Sequence, residues 1–136
     1  MRSLRSDRGA MRLVTLTRLV VILAIVGVLG YDTFACMSNR VSTENDAQNA
    51  AYAASQAWHN NQANPGLAIQ QAYQAAVTEV AGNHGESVQQ QGFTVDPDGT
   101  VHLVVTRTAK TILFGHVSFL KRWTVGDEHG DANSVN

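Results

Sequence analysis

The feature that most constrains this chain is Leu19 to Gly30, LVVILAIVGVLG, twelve consecutive residues without a polar side chain. A helix needs about 20 residues to cross the hydrocarbon of a bilayer. Extension back to Leu13, or forward through Asp32 to Met37, approaches that length, and each extension brings in one charge, Arg18 or Asp32. Arg18 can lay its aliphatic stem along the helix and place its guanidinium among the headgroups. Asp32 has no such reach. It is expected to mark the outer interface, with Tyr31 beside it in the aromatic belt. A transmembrane helix is therefore expected over residues 13–36.

Before the apolar run, Arg2, Arg5, Arg8, Arg12 and Arg18 stand against Asp7 alone. Basic residues flanking a span stay on the cytoplasmic side. Residues 1–12 are thus expected to form a basic cytoplasmic tail, and the rest of the chain to lie outside the cell membrane, as in a single-pass protein. A cleaved secretory signal is the rival, with Val28 and Gly30 small enough for cleavage, but the tail is long and no A-x-A site follows. A lipoprotein reading of Cys36 meets the bulky Phe34 and the charge of Asp32. Cys36 is the one cysteine, so no internal disulfide forms.

Beyond the span, no Pro or Gly occurs between Tyr31 and Asn64, and nothing forces the helix to stop. Val41, Ala47, Ala51, Ala54 and Trp58 recur near the helical period, widened by Ala50, Ala53 and Ala57. One helix is expected from about Leu13 to Asn60. Asn64-Pro65-Gly66 breaks it and starts a second, with Asn64 as N-cap and Pro65 at the first position. Leu67, Ile69, Ala72, Tyr73, Ala76, Val77 and Val80 supply its apolar side, and Gly82 ends it.

After Gly85 the period becomes two. Ser87 to Val95 reads as a strand, Asp96-Pro97-Asp98-Gly99 as a turn, and Val101 to Thr108 as a second strand with Val101, Leu103 and Val105 alternating. Thr111 to Val117 is an apolar connection or a further strand. Phe119 to Val125 reads as a last strand. The chain divides into the tail, the span, an extracytoplasmic α+β domain over 37–126 and a flexible polar tail over 127–136.

The order of long half-buried helix, second helix and small antiparallel sheet has the layout of a pilin. Asp7-Arg8-Gly9-Ala10 ahead of the membrane run, Arg40-Val41-Ser42 leading into QNAAYAASQAW, and VHLVVTRTAKTILFG followed by RWTVGDEHGDA carry a family likeness. Together they resemble the TadE/TadG-like proteins of tight-adherence (Flp) pilus systems, of the short actinobacterial type. The resemblance implies a minor pilin or assembly factor with other pilus or secretion-system membrane proteins as partners, and no enzymatic activity. Pilin-like proteins carry an acid five positions after the cleaved glycine. Counting from Gly9, that position is Val14, so prepilin-type processing and the acid-dependent contact are not implied here.

No chemistry stands out elsewhere. His59, His84, His102, His116 and His129 include no i, i+4 pair for a metal. Asp96 and Asp98 lack the further ligands of a calcium loop. There is no G-x-S-x-G and no phosphate-binding glycine loop. With a formal net charge of −1, no nucleic-acid partner is expected, and no cofactor. The residues expected to make membrane or assembly contacts are Arg18 and Asp32 in the span and Ala47, Ala51, Ala54 and Trp58 beyond it. Asp32 could pair with a cation of a neighbouring subunit. The alanine stripe reads first as packing within the chain and second as a helix–helix contact between subunits. Ile112, Leu113, Phe114, Phe119 and Leu120 read first as core, and otherwise as a partner patch or a contact with the membrane surface. The alternative to a pilus role is a membrane-tethered module that binds an envelope protein or ligand.

Overall fold

The computed structural model describes the backbone of residues 6–82 and 85–134, and side chains from residue 13 onward. Helix α1 runs unbroken from Ser6 to Asn60. It begins seven residues before the expected start, so Ser6 to Arg12 of the basic tail are helical; residues 1–5 of that tail lie outside the described residues. Helix α2 covers Pro65–Ala81 and folds back on α1. Its Asn64 cap accepts the Leu67 N–H, and Pro65 occupies the first turn, where no helical donor is needed. A four-stranded antiparallel sheet completes an α+β architecture: β1 Ser87–Val88, β2 Thr94–Val95, β3 Val101–Thr108 and β4 Val125–Ala132.

The stretch expected as one strand from Ser87 to Val95 is split. Ser87 and Val88 pair with Thr106 and Val105, whereas Thr94 and Val95 pair with His102 and Val101. A 3-10 turn over Gln90–Gly92 takes up the offset. Gly92 lies on the Val104 side chain, where a Cβ would come 3.0 Å from a methyl carbon. Pro97 and Gly99 form the expected turn, and Gly99 takes a positive φ of 87° that an L side chain resists.

Two expectations fail at the C-terminus. Phe119 to Thr124 is loop and 3-10 turn, not strand. The segment expected to be a flexible tail from residue 127 is instead most of β4, paired with β3 without interruption from Thr108↔Val125 to Val101↔Ala132. Its sequence, VGDEHGDA, lacks the apolar alternation of a half-buried strand. What holds it is the backbone ladder together with two bare positions, Gly126 and Gly130, turned toward α1.

The core lies between α1, α2 and the inner face of the sheet. It consists of Ala47, Ala50, Ala51 and Ala54 of α1, Ala72, Ala76 and Val80 of α2, and Val101, Leu103 and Val105 of β3. Alanine on both helices lets their axes approach, so of the expected apolar side α2 buries Ala72, Ala76 and Val80, together with Ala68, and leaves Leu67, Ile69 and Val77 outside. Tyr73 stacks edge-on against Phe93 at 5.3 Å. Val41 is also misplaced in the expected stripe. Six positions before Ala47 lies about 240° away around a helix, and Val41 is exposed, while Thr43 takes the buried place.

Upstream of the domain, α1 stands alone. Leu13 to Val26 is exposed on every side, and the most apolar window of 18 residues has a mean hydropathy of 2.5 with none of it buried. This is one helix long and apolar enough to cross a membrane. Within it, Thr17 and Thr33 return their hydroxyls to the carbonyls four residues back, at 2.9 and 2.8 Å, as hydroxyls in apolar surroundings do.

Candidate functional site

Where the apolar helix meets the domain, the chain builds an unusual contact. Asp32 is fully buried. Its Oδ1 accepts the backbone N–H of Ile112 at 2.7 Å, and its Oδ2 accepts those of Leu113 and Phe114 at 2.7 and 2.9 Å. A buried carboxylate is tolerated only when its lone pairs are met. Three converging donors meet them and pin the β3–β4 loop to α1. The loop is closed at its base by the Ala109 N–H donating to Thr124 at 2.7 Å. Thr111 stiffens it by accepting the Gly115 N–H, and short turns occupy the rest.

The loop's outer surface is apolar and cationic. Ile112, Leu113 and Phe119 are exposed, Phe119 to 69%, which corrects the first expectation that this run is core, and Trp123 beside them is exposed to 54%. Lys110, Lys121 and Arg122 are exposed among them. From Ala109 to Gly126 the sequence has no acid. An apolar groove lies between this loop and α1, walled by Phe114, Leu120 and Trp123 on one side and by Cys36, Met37 and Arg40 on the other.

A second constellation lies further into the domain, about 15 Å along α1 from Asp32 at Ser42. Arg107 donates to Glu86 at 2.9 Å and to Ser42 at 3.0 Å, and Ser42 donates to Asp46. The Glu86 side chain is enclosed, and among the described residues its second oxygen accepts no hydrogen bond. Burial and the facing Asp46 carboxylate push the Glu86 carboxyl above its ordinary range, against the opposing pull of Arg107. On the outer face of the sheet, His102 bridges Asp131 at 2.6 Å and Asp96 at 3.2 Å, and these two hydrogen bonds raise its imidazole.

The expected contact residues divide between these regions. Arg18 is exposed on the free helix. Asp32 does not present its carboxylate to a neighbouring subunit, because three donors of its own chain occupy it. Ala47, Ala51 and Ala54 are fully buried against α2 and the sheet, so the surface they offered to a neighbour is taken within the chain, and Trp58 is half-buried at the edge of the same core. What α1 leaves open is the opposite face, where Phe34, Met37, Val41 and Tyr52 are all more than half exposed. Sequence reasoning missed the loop's tie to Asp32, because its donors are backbone groups some eighty residues away and have no side-chain signature. Comparison with protein-family models, curated proteins and solved structures returned no match.

Proposed function

We propose that the protein is a single-pass membrane subunit of pilin-like design that serves in the assembly or structure of a surface pilus or a related secretion apparatus. The observation that carries the reading is the double use of α1. One continuous helix offers a bare apolar segment to the bilayer and then buries only one side in its domain, leaving Phe34, Met37, Val41 and Tyr52 along the other. Phe34, Met37 and Val41 form an exposed apolar patch, with Tyr52 further along the same side beyond the exposed Asn45 and Gln48, and such a patch is a place for another protein. Here it extends the line of the membrane helix, which suits side-by-side packing with other membrane-anchored subunits. The arginine-rich start of the chain supports a cytoplasmic N-terminus and a domain outside.

Deletion of the gene, with filaments scored by electron microscopy, tests the pilus role: loss of filaments is expected, and normal filaments would remove it. Photocrosslinkers at Val41 and Tyr52 then test the face. They should capture a second membrane subunit, whereas one placed at the buried Ala47 should not.

A further inference from the structure

We infer that the β3–β4 loop, residues 110–123, is a second membrane contact: a foot that inserts Ile112, Phe119 and Trp123 into the outer lipid interface and sets Lys110, Lys121 and Arg122 against anionic headgroups. The inference rests on the reading of α1 as a membrane span. Its first support is depth. The nineteen residue steps from Leu13 to Asp32 rise about 29 Å along the helix, close to the hydrocarbon thickness of about 30 Å. If Leu13 enters the inner boundary, Asp32 reaches the outer one. Arg18 is then about 8 Å inside, within reach of the inner headgroups through its flexible stem.

Asp32 carries the loop to that depth. Ile112, Leu113 and Phe114 give their N–H groups to its carboxylate, so the loop backbone is held level with the end of the span. A carboxylate at this boundary has poor access to water, and backbone there is stable only when its polar groups are satisfied within the protein. The contact answers both demands. It cannot form with the loop lifted away from the bilayer, since Asp32 lies on the membrane helix itself.

Composition is the second support. Large exposed apolar side chains, an exposed tryptophan and a cluster of cations without any acid are what an interfacial segment requires. The groove between the loop and α1 opens at the same level and is lined by Thr33, Cys36, Met37, Phe114 and Trp123, with Arg40 at its rim. A protein partner would also cover apolar side chains, but the level of this patch is fixed by Asp32 at the helix exit, where lipid is the neighbour. The exposed face of α1 further out has no such tie.

The chain's two tryptophans make the test direct. Trp58 lies about 39 Å beyond Asp32 along α1. The full-length protein, as W58F and as W123F, is reconstituted in phosphatidylcholine–phosphatidylglycerol vesicles carrying bromine near the headgroup end of the acyl chains. Trp123 is expected to lose most of its emission to the bromine, and Trp58 to keep its own. Replacing Lys110, Lys121 and Arg122 by glutamine is expected to weaken that quenching in vesicles rich in phosphatidylglycerol and to leave it unchanged in phosphatidylcholine alone. A third variant, I22W in the double-phenylalanine background, reports the span in companion vesicles brominated near the ends of the acyl chains, because residue 22 lies about 14 Å from Leu13 and so near mid-bilayer. Quenching at 22 with none at 123 would overturn the foot and leave the span standing. Quenching at neither would overturn both. Equal quenching of Trp58 and Trp123 would mean that the whole domain lies on the bilayer and would overturn a contact specific to the loop. Circular dichroism of each variant, and the emission of the native chain with both tryptophans, check that the fold is kept.

Discussion

Gly130 of β4 lies directly on Ala47 of α1, so close that a Cβ at position 130 would overlap the Ala47 carbonyl carbon and oxygen. The neighbour that would have to yield is helical backbone, not the end of a flexible side chain. Gly130→Ala is therefore expected to push β4 off the helix and destabilise the domain by about 1–3 kcal/mol, the range for overpacking, with Gly130→Val worse. Gly126, also turned toward α1, offers a Cβ more room: the nearest neighbour is the Asn39 side chain, 3.3 Å away at its Nδ2, with Arg40 Cγ and the Arg107 carbonyl at ordinary contact distances of 3.6 and 3.9 Å. Thermal unfolding in detergent should rank Gly126→Ala as the milder change. A reversed order would contradict this packing.

Asp32→Asn keeps the shape of the side chain and replaces one acceptor oxygen by an N–H₂ donor. With three backbone donors converging on it, at least one is left facing another donor. The loop is expected to lose about 1–3 kcal/mol of local stability. Hydrogen exchange at the amides of Ile112, Leu113 and Phe114 reads this directly. Those amides should exchange faster while the β3 amides opposite β4 keep their protection; unchanged exchange at all three would refute the contact.

His102 makes stability depend on pH in a stated direction. Its hydrogen bonds to Asp131 and Asp96 raise its pKa above the ordinary 6.5. The folded state holds the proton more tightly than the unfolded chain. The contribution is thus complete below about pH 6.5 and is lost as pH rises through the folded value. The side chain is 42% exposed, so solvent screening keeps the effect small. His102→Gln should flatten that part of the stability–pH curve, as measured by denaturant midpoints.

Glu86 acts in a lower window. Burial and Asp46 raise its carboxyl above 4.5. Native protein binds more protons than unfolded chain as pH rises from 4.5 to the folded value, so stability falls across that interval. Glu86→Gln cannot ionise and should match the native chain in acid. It should become the more stable of the two as pH rises, despite losing the charge that faces Arg107. If the native chain gains on the variant instead, Arg107 outweighs Asp46.

Much of this fold could be read from the residues because its strongest signals are local. The long apolar run, the absence of Pro and Gly up to Asn64, the Asn64-Pro65 start and the Val101–Leu103–Val105 alternation each act over a few positions. β4 was illegible because its stability lies in pairing with β3 and in the missing side chains of Gly126 and Gly130. Two glycines four apart in a strand share one face, and that spacing was the available clue. Val41 falls off the buried stripe because an interval of six residues does not return to the same face of a helix. The loop is hard to read for a different reason: Ile112 and Phe119 have the composition of a core but lie outside it, and composition alone does not say what covers an apolar side chain.

The unbroken course of α1 also fixes an angle. Since the apolar segment and the domain share one rod, whichever way that segment is turned, the domain is turned with it, and each residue added to or taken from the rod would rotate one against the other by about 100° and shift it by about 1.5 Å. A single insertion between Asp32 and Asn39 would alter no buried side chain by name. It would nonetheless swing Asp32 out from under the loop and turn the span away from the direction in which Val41 and Tyr52 face. The junction behaves as a keyed shaft, in which the heading of the domain, as well as its height, is inherited from the apolar segment.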